Sequence, residues 1–291
     1  MSLTPIILII LTFIVNFIMD FSFWSVMLSL YYMGSGAPAA GSEAEGQLLL
    51  ELTLASVLIP ALLARLGVME RFFVYSEGGR NAQGEDSQLL REGLREICRR
   101  GNLDPSDYHL YIGLRNEYNA FSLGKSIVVM APLLRQFPEE ELLGVMAHEM
   151  GHIQRGHTGA NLLCVGMSWF GQIIVLVYNT IFLICRLLIW IPFLGLIINL
   201  FALFISLQYN ILSFLLQTPM LFISRFGSRK EEYEADAYAC RLGLGRGLAL
   251  GLYRIESIYG NGNAGFFSSL LNDHPGTPKR IERIKNYLRT H

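Results

Sequence analysis

Five residues in the middle of this 291-residue sequence, His148-Glu149-Met150-Gly151-His152, have the types and spacing for metal-assisted hydrolysis. On an α-helix, residues four apart share one face, so the imidazoles of His148 and His152 can grip a single ion. Imidazole suits Zn²⁺, which at a catalytic site takes three protein ligands and keeps one position for water. Glu149 then stands beside the ion, where a carboxylate can take a proton from that water. The competing explanation is chance, since six histidines and many glutamates can meet at this spacing on a surface helix. The flanks favour a helix that is built in. Glu139-Glu140-Glu141 suit a helix N-terminus, and the residues from Leu142 to Ala147 supply an apolar face.

A third ligand has to come from elsewhere. The spacing H-E-x-x-H-x-x-G-x-x-H would place another histidine close behind the motif. Here the next is His157, directly after Gly156, which does not match. His157 reads as a neighbour of the site or a helix-end residue. A better candidate lies in the run from Ser228 to Ala237, which is acidic, carries two alanines and is free of Gly and Pro. It should be helical, with Glu232 and Asp236 on one face. Glu232 can ligate the metal, and Asp236 can accept the N–H of a ligating histidine. Alone, such a run reads as a solvated acidic face; beside H-E-x-x-H the ligand reading prevails.

Together these residues resemble a known family. His148 to His152, the Ser-Arg-x-x-Glu-Tyr-x-Ala-Asp run from Ser228 to Asp236, and Asp273-His274-Pro275 followed by Arg280-Ile281 look like the M48 peptidases. These are integral-membrane zinc metalloproteases that include HtpX-type heat-shock proteases and CAAX prenyl proteases. Asn119-Ala120-Phe121 resembles the family's strand before the active-site helix, where substrate binds. The similarity runs from about residue 70 to the end, with the motifs in the family's order. It implies a mainly α fold with a small β-sheet, zincin-like (gluzincin), set in a membrane. It also implies one Zn²⁺ per chain on His148, His152 and Glu232, with Glu149 as base. Asp236 and Arg280 would support the ligands, and His274 would stabilise the transition state. The family's substrates are polypeptides, and the HtpX-type reading adds quality control of damaged membrane proteins.

Composition points the same way. Hydrophobic residues make up 52% of the chain and charged ones 16%, below the usual quarter. The net charge of −1 offers no basic surface for nucleic acid. The four cysteines are scattered without a CxxC pair, so they read as packing residues rather than a disulfide framework. Four apolar segments stand out: Leu3 to about Trp24, continuing to Met33; Leu48 to Leu66; Ala160 to Ile184; and Leu187 to Leu216. The last two are parted only by Cys185-Arg186 and broken again at Pro192 and Gly195. They form either a hairpin across the bilayer or a re-entrant pair, because Arg186 is hard to place at mid-membrane. Asp20, inside the first segment, is either functional or a residue near the surface or against a partner helix.

Charge orients the chain. The Gly34–Gly46 loop has no Lys or Arg, whereas Arg65, Arg71, Arg80, Arg91, Arg95, Arg99 and Arg100 follow the second segment. The positive-inside rule places that region in the cytoplasm. Arg225, Arg229 and Lys230 place the region after the fourth segment on the same side, as a shared metal requires. The expected layout is two transmembrane helices over 1–66, a first catalytic part over 67–159, a hydrophobic hairpin over 160–218 and a second catalytic part over 219–291. The setting is a multi-pass inner-membrane protein with its site facing the cytoplasm.

Within the first catalytic part, Gln88 to Arg100 has helical periodicity, and Tyr108 to Leu114 and Ser126 to Met130 read as strands. Gly124-Lys125 reads as the turn joining Asn119–Leu123 to the last of these. An exposed strand edge beside a metal-binding helix can hold an extended peptide through backbone hydrogen bonds. His109 has no motif around it and reads as structural. The part from Glu231 onward should be mostly helical, with a Gly/Asn loop from Gly260 to Gly265. Three other functions are weighed: a CAAX-type processing peptidase, a scaffold with a structural metal, and a channel or transporter component suggested only by Asp20 and Glu51. The few apolar segments disfavour the first, and Glu149, useless at a structural site, disfavours the second. The sequence leaves substrate preference and oligomeric state open.

Overall fold

The computed structural model describes residues 3–35, 43–76, 78–188, 195–200, 202–203, 206–207, 230–260 and 277–290. The described chain is mostly helical with one small sheet. Its elements are α1 (Leu3–Ser35), α2 (Glu43–Arg65), α3 (Val68–Ser76), β1 (Gly79–Asn81), α4 (Gly84–Gly101), β2 (His109–Gly113), β3 (Ala120–Leu123), β4 (Ser126–Met130), α5 (Ala131–Gln136), α6 (Glu139–Gln154) and α7 (His157–Leu188). Then come α8 (230–241), α9 (Gly245–Gly260) and α10 (Thr277–Thr290). The chain divides into two compact units: Met1–Ile6, Arg65–Leu162 and Arg225–His291 form one, and Ile7–Ala64 with Leu163–Ser224 form the other.

The apolar unit holds most of α1, α2 and α7. Among the described residues, these three helices are long and apolar enough to cross a membrane. Val57 and Ala61 of α2 pack with Cys164 and Met167 of α7, and Trp24 stacks on Phe170 with ring centroids 5.6 Å apart. Polar side chains turn inward between the helices. Asn16 donates to Ser168 Oγ at 3.1 Å, and Ser56 donates to Asp20 at 2.7 Å. Asp20 is fully buried and faces α2 through Ser56. The expected break at Cys185-Arg186 is absent. α7 runs through both residues to Leu188, because neither a Pro nor a Gly interrupts its hydrogen-bond ladder there. Whether the segment from Leu187 to Leu216 crosses as a whole lies outside the described residues.

The other unit is built around α6. The sheet order is β1-β2-β4-β3, with β2 and β4 parallel and the other pairs antiparallel. Every residue of β4 is buried, as its central position requires. Leu90, Leu94 and Ile97 of α4 recur at helical spacing and pack with Ile127, Val129, Met146 and Met150 in the main core. The expected strands appear within a residue or two, and β1 is an addition. It is three residues long, too short for an alternating pattern to show.

Glycine sets how closely α6 and α9 approach. A Cβ on Gly144 would lie 2.1 Å from the backbone N of Leu248, and one on Gly247 would lie 2.0 Å from the carbonyl oxygen of Glu140. Arg254 of α9 closes the contact with a forked pair on Glu141 at 2.6 and 2.8 Å. The β3–β4 turn is held from two sides. Thr158 Oγ1 donates to the carbonyl of Gly124 at 2.8 Å. The buried Glu70 of α3 accepts from Lys125 N at 3.1 Å and from Ser126 Oγ. Gly124 has φ +58°, and a Cβ there would run into the Glu70 carboxylate, so the turn needs glycine.

Candidate metal centre and its support

α6 presents His148 and His152 one turn apart, and α8 presents Glu232 and Asp236 one turn apart. The structure brings three donor atoms together. His148 Nε2 lies 3.2 Å from His152 Nε2 and 3.3 Å from Glu232 Oε2, and His152 Nε2 lies 3.3 Å from Glu232 Oε1. A tetrahedral ion with ligands at about 2.0–2.1 Å sets neighbouring donors roughly 3.3–3.4 Å apart. Among the described residues this trio is the group whose geometry could hold a metal ion.

Charge supports the same conclusion. Glu149, Glu232 and Asp236 are buried at the site, and the buried cation set against them is Arg280 of α10. The buried carboxyl groups outnumber the buried guanidinium, a balance that suits a bound cation. Burial and the Arg280 charge work to lower the pKa of His148. The charge of Glu232 and the bonds to Asp236 and Glu232 outweigh them and push it up to about 9. The pocket therefore favours positive charge where the ion would sit.

Behind the trio, Asp236 Oδ1 lies 2.9 Å from His148 Nδ1. In the neutral tautomer that donates Nδ1–H to Asp236, Nε2 carries the lone pair facing the other ligands, so a bound ion would take the place of the second proton. Burial works to raise the Asp236 carboxyl, but the bonds from His148 and Arg280 prevail and hold it below the usual range. Arg280 forks onto Asp236 at 2.7 and 2.9 Å and reaches Glu232 Oε2 through Nη1 at 2.8 Å. One guanidinium thus fixes both Glu232 and Asp236.

Glu149 follows His148 on α6 and is 8% exposed. Ser122 of β3 donates to its Oε2 at 2.7 Å. This partner was missed in the sequence, although strand alternation from Ala120 would have placed it on the same face. Phe121 points to the opposite face, against Val74, Tyr111 and Val128, so its side chain lies away from the metal trio. Ala120 is buried in the main core. Asn119 lies just outside the strand, and its carbonyl accepts from Met130 N at 3.0 Å. β3 is an edge of the sheet, paired with β4 on one side. His274 lies outside the described residues, as do Ser228 and Arg229. His157 starts α7 and packs beside His152, with ring centroids 5.8 Å apart.

The Ser122 hydroxyl orients the carboxylate without touching the metal trio. Ser122→Ala should lower kcat by up to about tenfold, the worth of one hydrogen bond, with KM and metal content unchanged. Ser122→Thr should restore most of the loss. Unchanged kcat in Ser122→Ala would remove the residue from the chemistry.

Comparison with known proteins adds the family. The pattern of Peptidase family M48 matches residues 85–288. The chain is 29% identical over 224 residues to a "Protease HtpX homolog" of Acaryochloris marina, covering 66% of this chain and 69% of that protein. It is 26% identical over 231 residues to "Protease HtpX" of Mannheimia succiniciproducens, covering 70% and 74%. It is 30% identical over 162 residues to "CAAX prenyl protease 1 homolog" of Mus musculus, covering 50% of this chain and 30% of that protein. Among solved structures, S. mikatae Ste24p gives a TM-score of 0.48 at 21% identity, covering 81% of this chain and 58% of that one.

Proposed function

The chain belongs to peptidase family M48, and from that premise we infer that it is an HtpX-like zinc endopeptidase acting on misfolded or damaged membrane proteins. The observation that carries this reading is the trio of His148, His152 and Glu232 at donor spacings of 3.2–3.3 Å, with the buried Glu149 adjoining His148. When bound there, zinc supplies a Lewis acid that brings a water's pKa to roughly 7. The chain's own residues do the rest. Glu149 takes the water's proton and passes it to the leaving amine. Ser122 holds the Glu149 carboxylate in place. Asp236 and Arg280 keep the ligands aimed, so little reorganisation is needed during turnover. The edge of β3, unpaired among the described residues, can align an extended peptide by backbone hydrogen bonds, which reads little sequence and suits unfolded segments.

Removing and restoring the metal tests the reading. The purified chain in lipid vesicles should cleave an unfolded membrane protein, lose that activity on chelation, and regain it with Zn²⁺. Cleavage that survives chelation with no metal left on the protein would overturn it.

The proposed setting is the cell inner membrane, with the metal-binding residues facing the cytoplasm. Arginines following α2 and the lack of Lys or Arg in the sequence from Gly34 to Gly46 support this orientation. In an otherwise cysteine-free chain, cysteines at Ser42, Gln88 and Ser268 should give label from an impermeant reagent on intact cells only at 42. Gln88 is used because the neighbouring Ser87 is buried and would stay dark on either side. Label at 88 or 268 would invert the topology.

A further inference from the structure

α3 has two faces, and the fold uses one. Met69, Glu70 and Val74 are buried, with Val74 against Tyr111 and Val128 and Glu70 on the β3–β4 turn. Val68, Arg71, Phe72 and Tyr75 fall at i, i+3, i+4 and i+7, one stripe of the helix. All four are exposed, Val68 and Phe72 to 60% each; Tyr75, at 39%, closes the stripe with its ring edge-on to Tyr111 and beneath Arg80. Leu66, in the link before the helix, is 67% exposed. A lone exposed apolar residue needs no cover, but a contiguous aliphatic and aromatic stripe with an arginine in it does. Aromatic rings at headgroup level and arginines reaching lipid phosphates are the makeup of a helix lying in the membrane interface.

Chain continuity chooses lipid over a protein partner. α2 is 23 residues long and apolar enough to cross a bilayer, and it ends at Arg65. Three peptide steps, about 11 Å at full stretch, separate Arg65 from Val68. A helix that begins there starts within the headgroup zone where α2 leaves the membrane. Arg65 and Arg71 are exposed and form no ion pair among the described residues, so both are free for anionic headgroups. We propose that the outer face of α3 is an interfacial anchor: Leu66, Val68 and Phe72 sink into the headgroup–acyl boundary, and Arg65 and Arg71 engage lipid phosphates. Through Glu70 the anchor holds the β3–β4 turn. The proposal does not depend on the peptidase reading.

The test uses the full chain in phosphatidylcholine–phosphatidylglycerol vesicles. The native cysteines are replaced by alanine, and a nitroxide is attached at Val68→Cys, at Phe72→Cys and, as control, at Gln88→Cys on the exposed face of α4. Power saturation should show oxygen reaching positions 68 and 72 better than a water-soluble nickel chelate, with the order reversed at 88. Nickel accessibility at 68 and 72 as high as at 88 would overturn the proposal. So would exclusion of both reagents there, which would mean a protein partner or a second copy. If the cysteine-free chain does not fold, Phe72→Trp in the native background gives the same reading. Its added fluorescence should be quenched by lipid brominated near the headgroup more than by aqueous iodide, and the reverse order would overturn the proposal.

Discussion

Glu149→Gln should bind zinc like the unaltered protein and lose peptide hydrolysis by about 10²- to 10⁴-fold, the usual worth of a positioned general base. The amide is nearly isosteric and still accepts the hydrogen bond that Ser122 now donates at 2.7 Å. Folding around the site is therefore preserved. What disappears is a carboxylate able to receive a proton. The metal trio is untouched, because Glu149 contributes none of its three donors. The measurement is turnover on an unfolded membrane protein together with zinc per chain by elemental analysis. Turnover near the unaltered rate would remove Glu149 as base. Loss of zinc along with activity would make it a residue that shapes the metal site.

How much of this was legible in the sequence depends on whether a residue's partner is local. His148 and His152 declare themselves because helical spacing alone puts them on one face. The same rule pairs Glu232 with Asp236, and their assignment needed only the decision that an acidic helix served the metal. Arg280 is different. Nothing in its own stretch says that it forks onto Asp236 at 2.7 and 2.9 Å, and only the family resemblance singled it out. Ser122 lies one residue beyond the run read as substrate-binding; alternation could give its face, but its bond to Glu149 crosses from strand to helix and is not written in the strand itself. Gly144 and Gly247 are two of 28 glycines, and only the packed helices reveal which of them must lack a Cβ.

The sheet shows the same limit. The β3–β4 hairpin follows from its Gly124-Lys125 turn, a local signal. The parallel pairing of β2 with β4, which pushes β3 to the edge, is a long-range choice among strands of similar character. Yet that choice leaves the edge on which the peptide-binding proposal rests unpaired among the described residues. In the apolar unit, three of the four segments read from hydropathy appear as long apolar helices among the described residues. The end of α7 was not legible, because an arginine inside an apolar run marks a cost in lipid and not a break in the backbone.

Glu232→Ala should lose zinc while Glu234→Ala keeps it, although the two residues sit in one acidic run. Two positions along a helix turn a side chain by about 200°, so these carboxylates face opposite ways. Glu232 is 3% exposed and places its oxygens 3.3 Å from both His148 Nε2 and His152 Nε2. Glu234 instead lies 3.9 Å from Arg155, His157 and Lys230 and contributes no donor to the trio. Its loose pairs with Arg155 and Lys230, whose side chains are largely exposed, are worth about 0–1 kcal/mol, so its removal should leave folding and metal content intact. Removing Glu232 takes away one of three donors and leaves the buried Arg280 facing the ion's position with one carboxylate fewer. The remaining guanidinium then repels a dication at the trio. The affinity loss should exceed the roughly 10- to 100-fold that follows loss of an outer partner such as Asp236. Zinc per chain after dialysis against a weak chelator separates the two variants. Equal occupancy in both would mean that the third ligand lies elsewhere on the chain.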